Sequence, residues 1–238
     1  MVSMATAPAF HAFGTDHLTA VGLSVLLAFV MVHRARQSHE SARVQERLLA
    51  VFLVALYPVQ VIFLWTRGAL HEGNALPCHL CDVAALCGAT SLWFRHQRLA
   101  ELVWFWGLAG TLNGLITPAL DEGFPSPRFL FFFALHGGVV VCAVYLVVGL
   151  RLRPTRGALW RVFGWLQVYT LAAGLANWLS GANYGFLREK PPQASLMDLM
   201  GPWPWYLLGL QGLALALFGL LYLPFCRQNP TFGSKAPH

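Results

Sequence analysis

Apolar residues come in runs of about 20 separated by short polar breaks, and the pattern recurs from residue 18 to residue 225. A run of that length is what an α-helix needs to cross about 30 Å of hydrocarbon. Seven spans are predicted: 18–33, 47–66, 77–94, 99–119, 129–150, 160–180 and 203–225. The runs are uniformly apolar and do not alternate, which argues against the strands of a membrane barrel. A chain in lipid must satisfy its own backbone hydrogen bonds, which leaves helices. The expected fold is an all-α seven-transmembrane helix bundle, with residues 1–238 as one polytopic membrane domain.

Composition agrees. Charged residues make up 11% of the chain, where a soluble domain has about 25%, and the mean hydropathy is +0.56. Basic residues orient the bundle. Arg34, Arg36, Arg43 and Arg47 fall between spans one and two, Arg95 and Arg98 between three and four, and Arg151, Arg153, Arg156 and Arg161 between five and six. With Arg227 and Lys235 in the tail, that face holds 12 of the 16 Lys and Arg; the other holds Arg67, Arg128, Arg188 and Lys190. The positive-inside rule then puts the N-terminus outside and the C-terminus in the cytoplasm. Topology therefore accounts for the pI of 9.4, and membrane lipids, not nucleic acid, are the expected partners. The first span lacks a preceding basic residue and a small-residue cleavage site, so it is expected to be retained. Short loops and Ala/Leu/Arg-rich usage suggest a bacterial plasma membrane.

Polar residues inside a membrane mark candidate sites, and here they gather toward the outer end. Span three opens with Cys78, His79, Cys81 and Asp82. Asn113 and Thr117 share one face at the outer end of span four. His136 lies about 12 Å into span five at about 1.5 Å per residue. Asn177 is one turn from the end of span six, and Gln211 is about 10 Å into span seven. The inner halves offer little beyond Leu, Ala, Val, Phe and Gly, which predicts a pocket opening outward or into the outer leaflet.

Pro77 suits the first turn of a helix. Cys78 would then sit where the helix terminus favours a thiolate, a nucleophile if a base is near. His79 points about 100° away on an ideal helix, so His136 is the better base. Cys81 shares the face of Cys78, and Asp82 is placed to orient His79 at i, i+3. Blander readings stand beside these: Cys81, Cys87 and Cys142 as packing, His79 and Asp82 as a clasp at the start of the helix, and Asn113, Asn177 and Gln211 as helix–helix hydrogen bonds. Trp203, Trp205 and Tyr206 read as an interfacial aromatic belt. Five cysteines, mostly inside apolar runs, do not form a disulfide framework.

Four segments, in order, resemble the YwaF-type integral membrane family: Pro77-Cys78-His79-Leu80, Leu115-Ile116-Thr117-Pro118 leading to Phe124-Pro125, Phe131-Phe132-Phe133-Ala134-Leu135-His136, and Gly201-Pro202-Trp203. The eukaryotic branch of that family includes a cysteine-dependent acyltransferase for ether phospholipids. The resemblance implies the seven-span layout, Cys78 as nucleophile and His136 as the histidine of the fifth span. The same fold is similar to androgen-induced lipid hydrolases that pair a Thr with a His.

Three classes of function follow. The first is a lipid acyltransferase or acyl hydrolase working through Cys78 and His136, with no cofactor and with donors such as Asn113 for the oxyanion. The second is a zinc-dependent lipid hydrolase using His79, Asp82, His136 and Cys81, although no metal spacing motif is present. The third is a non-enzymatic transporter or receptor, against which the chain has no broken helix pair or repeat.

Overall fold

The computed structural model describes residues 8–193 and 195–226; Arg227 and Lys235 lie outside them. Among the described residues the chain forms seven helical rods: α1 (Thr15–Gln37), α2 (His39–Thr66), α3 (Leu80–Phe94), α4 (Gln97–Ile116), α5 (Pro127–Gly149), α6 (Ala158–Ser180) and α7 (Trp205–Phe225). No β-strand forms among them; a lone bridge pairs Ala9 with Glu122. Five rods are long and apolar enough to cross a membrane. The other two are α3, with 15 residues, and α6, which has 23 residues but carries Arg161, Gln167 and Asn177. The chain is an all-α membrane protein, with five to seven helices able to span.

Local chemistry sets the ends. Ser38 caps α2 by accepting from Ser41 N at 3.3 Å, and Ser126 caps α5 by accepting from Phe129 N at 3.1 Å, with Pro127 at the first helical position. A π-turn over Gly107–Thr111 interrupts α4, where Leu112 N reaches back to Gly107 O. Such turns insert one residue and concentrate at functional sites.

The centre of the bundle is α3, α4 and α5. Only 11% of the apolar stretch of α1 and of α7 is buried, against 56% in α4 and α5. Small residues bring the central helices close: Gly88 of α3 lies against Cys142 of α5, and Gly107 of α4 against Val139 and Ala143. At about 1.5 Å per residue α3 is only about 22 Å long, short of the hydrocarbon thickness. One side of α3 packs against α2, α4 and α5, and non-helical chain is tolerated at depth where protein covers it.

The helices alternate in direction, and the described basic residues of the larger group cluster at one end. Two carboxylates are buried there. Glu46 is fully buried and accepts from Arg43 at 2.8 Å and from Arg95 at 2.5 Å. Its hydrogen bond holds the Arg95 guanidinium above the ordinary value. Glu101, 1% exposed, accepts from Arg161 at 2.8 Å and from the Thr155 hydroxyl at 2.6 Å. Glu46 stands just before the predicted span 47–66 and Glu101 at the start of 99–119. Several of the arginines at this end therefore neutralise carboxylates near the ends of α2 and α4, where an unpaired buried charge is very costly.

A groove of about 740 Å³ runs between α1, α2 and α5, walled by residues such as Leu27, Phe52, Phe133 and Gly138. Cys78, His79 and His136 are not among its lining residues.

Candidate functional site

The turn before α3 differs from the predicted helix over 77–94. Cys78 N bonds to Leu76 O at 2.8 Å, a three-residue turn centred on Pro77. The helix begins at Leu80 with His79 as its N-cap. Asp82 Oδ2 accepts the main-chain N–H of His79 at 3.2 Å, the acidic half of a capping arrangement. Pro77 is therefore outside the helix, Cys78 precedes its terminus by two residues, and Cys78 and Cys81 do not share a helical face. Asp82 holds the backbone of His79, where its ring was expected.

Three tyrosines fix this turn. The Tyr169 hydroxyl donates to Cys78 O at 3.0 Å. The Tyr184 hydroxyl accepts from Leu76 N at 3.1 Å and donates to Glu72 O. The Tyr57 hydroxyl donates to Ala75 O at 2.6 Å. Tyr169 stands 11 residues before the end of α6, about 16 Å at about 1.5 Å per residue. For its hydroxyl to meet Cys78, the Pro77 turn must descend into the bundle. Tyr57 and Tyr169 were not singled out from sequence. The available signal was a Tyr inside an apolar span, whose hydroxyl needs a partner when buried.

A second turn, Tyr184–Phe186, tucks in beside the first. Buried Asn177 holds it from α6, donating to Tyr184 O at 2.9 Å and accepting from Tyr184 N at 2.6 Å. Trp203 Nε1 donates to Leu187 O at 3.1 Å, and the Tyr206 hydroxyl donates to Phe186 O at 2.6 Å. The Gly201-Pro202-Trp203 segment thus works as a clamp. Gly201 has φ +82°, which favours glycine. The Cys78 side chain is half-buried and packs with Ala173, Ala182 and Tyr184.

Two imidazoles complete the site. The His79 ring meets Tyr184 edge-on with centroids 5.2 Å apart, and its Nε2 lies 3.4 Å from Gly73 O. The His136 ring stacks on Phe132 at 3.9 Å, and its Nδ1 lies 2.9 Å from Phe132 O. A carbonyl only accepts, so Nδ1 carries the proton and the His136 Nε2 lone pair is open for base work. Among the described residues no hydrogen bond joins Cys78 to His136.

The other candidates take structural partners. Asn113 donates to Ala109 O at 2.7 Å in its own helix, and the exposed Thr117 donates to Asn113 O at 3.1 Å. Gln211 accepts from Gln167 at 2.9 Å, tying α7 to α6. Asn177 is the loop clamp already described. Cys81 is half-buried in the first turn of α3, and Cys142 is fully buried in the core. Among the described residues, no three His, Cys, Asp or Glu side chains gather as a metal ion would require, so the zinc reading gains no geometric support.

A model of the TMEM164 family matches residues 12–222. The chain belongs to the TMEM164 family. No curated protein sequence and no solved structure matches it. The matched stretch runs from before α1 almost to the end of α7, so both turns, their tyrosines and both imidazoles lie within the matched TMEM164 stretch. With the apolar helices, membership establishes an integral membrane protein.

Proposed function

We propose that this TMEM164-family protein is a lipid acyltransferase or acyl hydrolase in which Cys78 accepts the acyl group and His136 moves the proton. The observation that carries this reading is the placement of Cys78: a half-buried thiol on a turn held by the Tyr169 hydroxyl from α6, next in sequence to the His79 imidazole. The resemblance of the Pro77-Cys78-His79 segment to cysteine-dependent ether-phospholipid acyltransferases supports it.

A thiol has an ordinary pKa near 8.5, so it needs a base in the transition state. An imidazole nitrogen takes the Cys78 proton as sulfur attacks the ester carbonyl of a membrane lipid. The C–O bond breaks, and the leaving alkoxide takes the proton from the imidazolium. A second hydroxyl, from a lysolipid or water, gives its proton to the imidazole and attacks the thioester, restoring the thiol. We read residues 1–238 as one seven-span domain with its N-terminus outside and its C-terminus in the cytoplasm. The short loops and Ala/Leu/Arg-rich usage support a bacterial plasma membrane.

The test is incubation of the purified protein with a diacyl phospholipid bearing a labelled acyl chain. Label released by neutral hydroxylamine is the expected thioester signature. Cys78→Ala and His136→Ala should each remove turnover, their double variant should be little worse than either, and Cys87→Ala and Cys142→Ala should keep it. Full turnover in Cys78→Ala would overturn the reading.

A further inference from the structure

Two buried polar groups on α4 have no hydrogen-bond partner among the described residues: Trp106 Nε1 and Thr111 Oγ1. Each residue is only 3% exposed. In this protein such groups are otherwise used. Trp104 Nε1 reaches Leu221 O and Trp203 Nε1 reaches Leu187 O. Thr90, Thr117 and Thr170 each donate to the carbonyl four residues back in their own helix. Thr111, inside the π-turn, does not. A buried donor without a partner is destabilising, and buried polar groups in folded proteins are nearly always satisfied.

The position of these groups links them to the Cys78 turn. The Trp106 ring lies 6.0 Å from that of Tyr169, whose hydroxyl holds Cys78 O. Gly110, beside Thr111, packs on Leu80 at the first residue of α3. An indole N–H can only donate and a hydroxyl can donate, so what fits is an acceptor oxygen, and the apolar surroundings favour an uncharged one.

We infer that Trp106 Nε1 and Thr111 Oγ1 donate hydrogen bonds to an ester carbonyl oxygen of the bound lipid. The inference rests on the acyl-transfer reading for the lipid's identity as substrate, but it concerns binding and is tested apart from turnover.

The experiment uses the full chain in detergent with Cys78→Ala as background, so that no chemistry occurs. Native mass spectrometry compares retention of a diacyl phosphatidylcholine with that of its dialkyl ether analogue, which has the same shape and lacks both carbonyls. The Cys78→Ala protein should prefer the diacyl lipid. Adding Trp106→Phe or Thr111→Val should reduce that preference by about tenfold while leaving ether-lipid retention unchanged. Thermal stability is the second readout. Removing an unpartnered donor leaves the melting temperature unchanged or higher, whereas removing one that bonds to protein lowers it. Unchanged diacyl preference in both variants, meaning that the groups hold only ordered water, would overturn the inference, as would a marked loss of stability in both. Either result leaves acyl transfer through Cys78 standing, since that depends on thioester capture.

Discussion

The ring of His136 occupies the space a side chain at position 114 would need: a methyl group on Gly114 would stand 2.7 Å from His136 Cδ2 and 3.0 Å from its Nε2. Glycine in a helix is otherwise less favourable than alanine by about 1 kcal/mol, so its presence at this crossing of α4 and α5 makes room for the imidazole. Gly114→Ala is expected to push the ring off Phe132 and lower acyl turnover at least tenfold while leaving the helical content by circular dichroism intact. Wild-type turnover in this variant would mean that the position of the His136 ring does not matter to the chemistry.

Asn177 connects α6 to the second buried turn through two hydrogen bonds to one residue. Asn177→Ala leaves Tyr184 N and O without these partners, at a cost of about 2–4 kcal/mol when each bond and its stranded group are counted. Thermal unfolding in detergent should fall by several degrees. Tyr184→Phe should cost less, since it leaves both Asn177 bonds in place and removes only the hydroxyl that holds Leu76 and Glu72.

The Glu101 carboxylate gathers Arg161, Arg98 and Thr155 at the basic end. Breaking a buried pair from one side costs about 3–5 kcal/mol. Glu101→Ala is therefore expected to lower the melting temperature more than Gln211→Ala, which removes a single neutral bond. Equal melting temperatures would show that the cluster is solvated and contributes little.

Gln37 closes α1 near the arginine cluster, and Gln193 bonds to Asp121 at the other end of the bundle. Single cysteines placed there in a protein lacking its own cysteines should label from opposite sides of the membrane with an impermeant maleimide. Labelling from the same side would remove the seven-span topology.

The helices were legible because lipid imposes a length and a polarity that few sequences meet by accident. The predicted 47–66, 129–150 and 203–225 lie within a residue or two of helix ends at Thr66, Gly149 and Phe225. The start of α3 was not legible. Pro77 to His79 read as the start of an apolar helix, whereas Tyr169 and Tyr184, about 90 to 110 residues later in sequence, help to hold them as a turn. Asn177 and Gln211 stood out as polar residues in apolar runs, but their partners could not be read from sequence. Glu46 and Glu101 were hidden among arginines that already had an explanation in topology. The orphan donors at Trp106 and Thr111 could not be found from sequence.

The anchoring of the Pro77 turn also bears on how the protein is made. The helix that follows Cys78 carries its own cap in Asp82 and can insert as soon as it is synthesised. The turn that presents Cys78 is held by Tyr169, Tyr184 and the clamp from Trp203 and Tyr206, all of which leave the ribosome much later. A nascent chain that has inserted only through α5 therefore has its thiol and both imidazoles but lacks the Tyr169 and Tyr184 hydroxyls that hold Cys78 O and Leu76 N. Residues of the last third of the chain thus fix a turn encoded at the end of its first third, and if acyl transfer runs through Cys78, truncations after α5 are expected to yield inserted but inert protein.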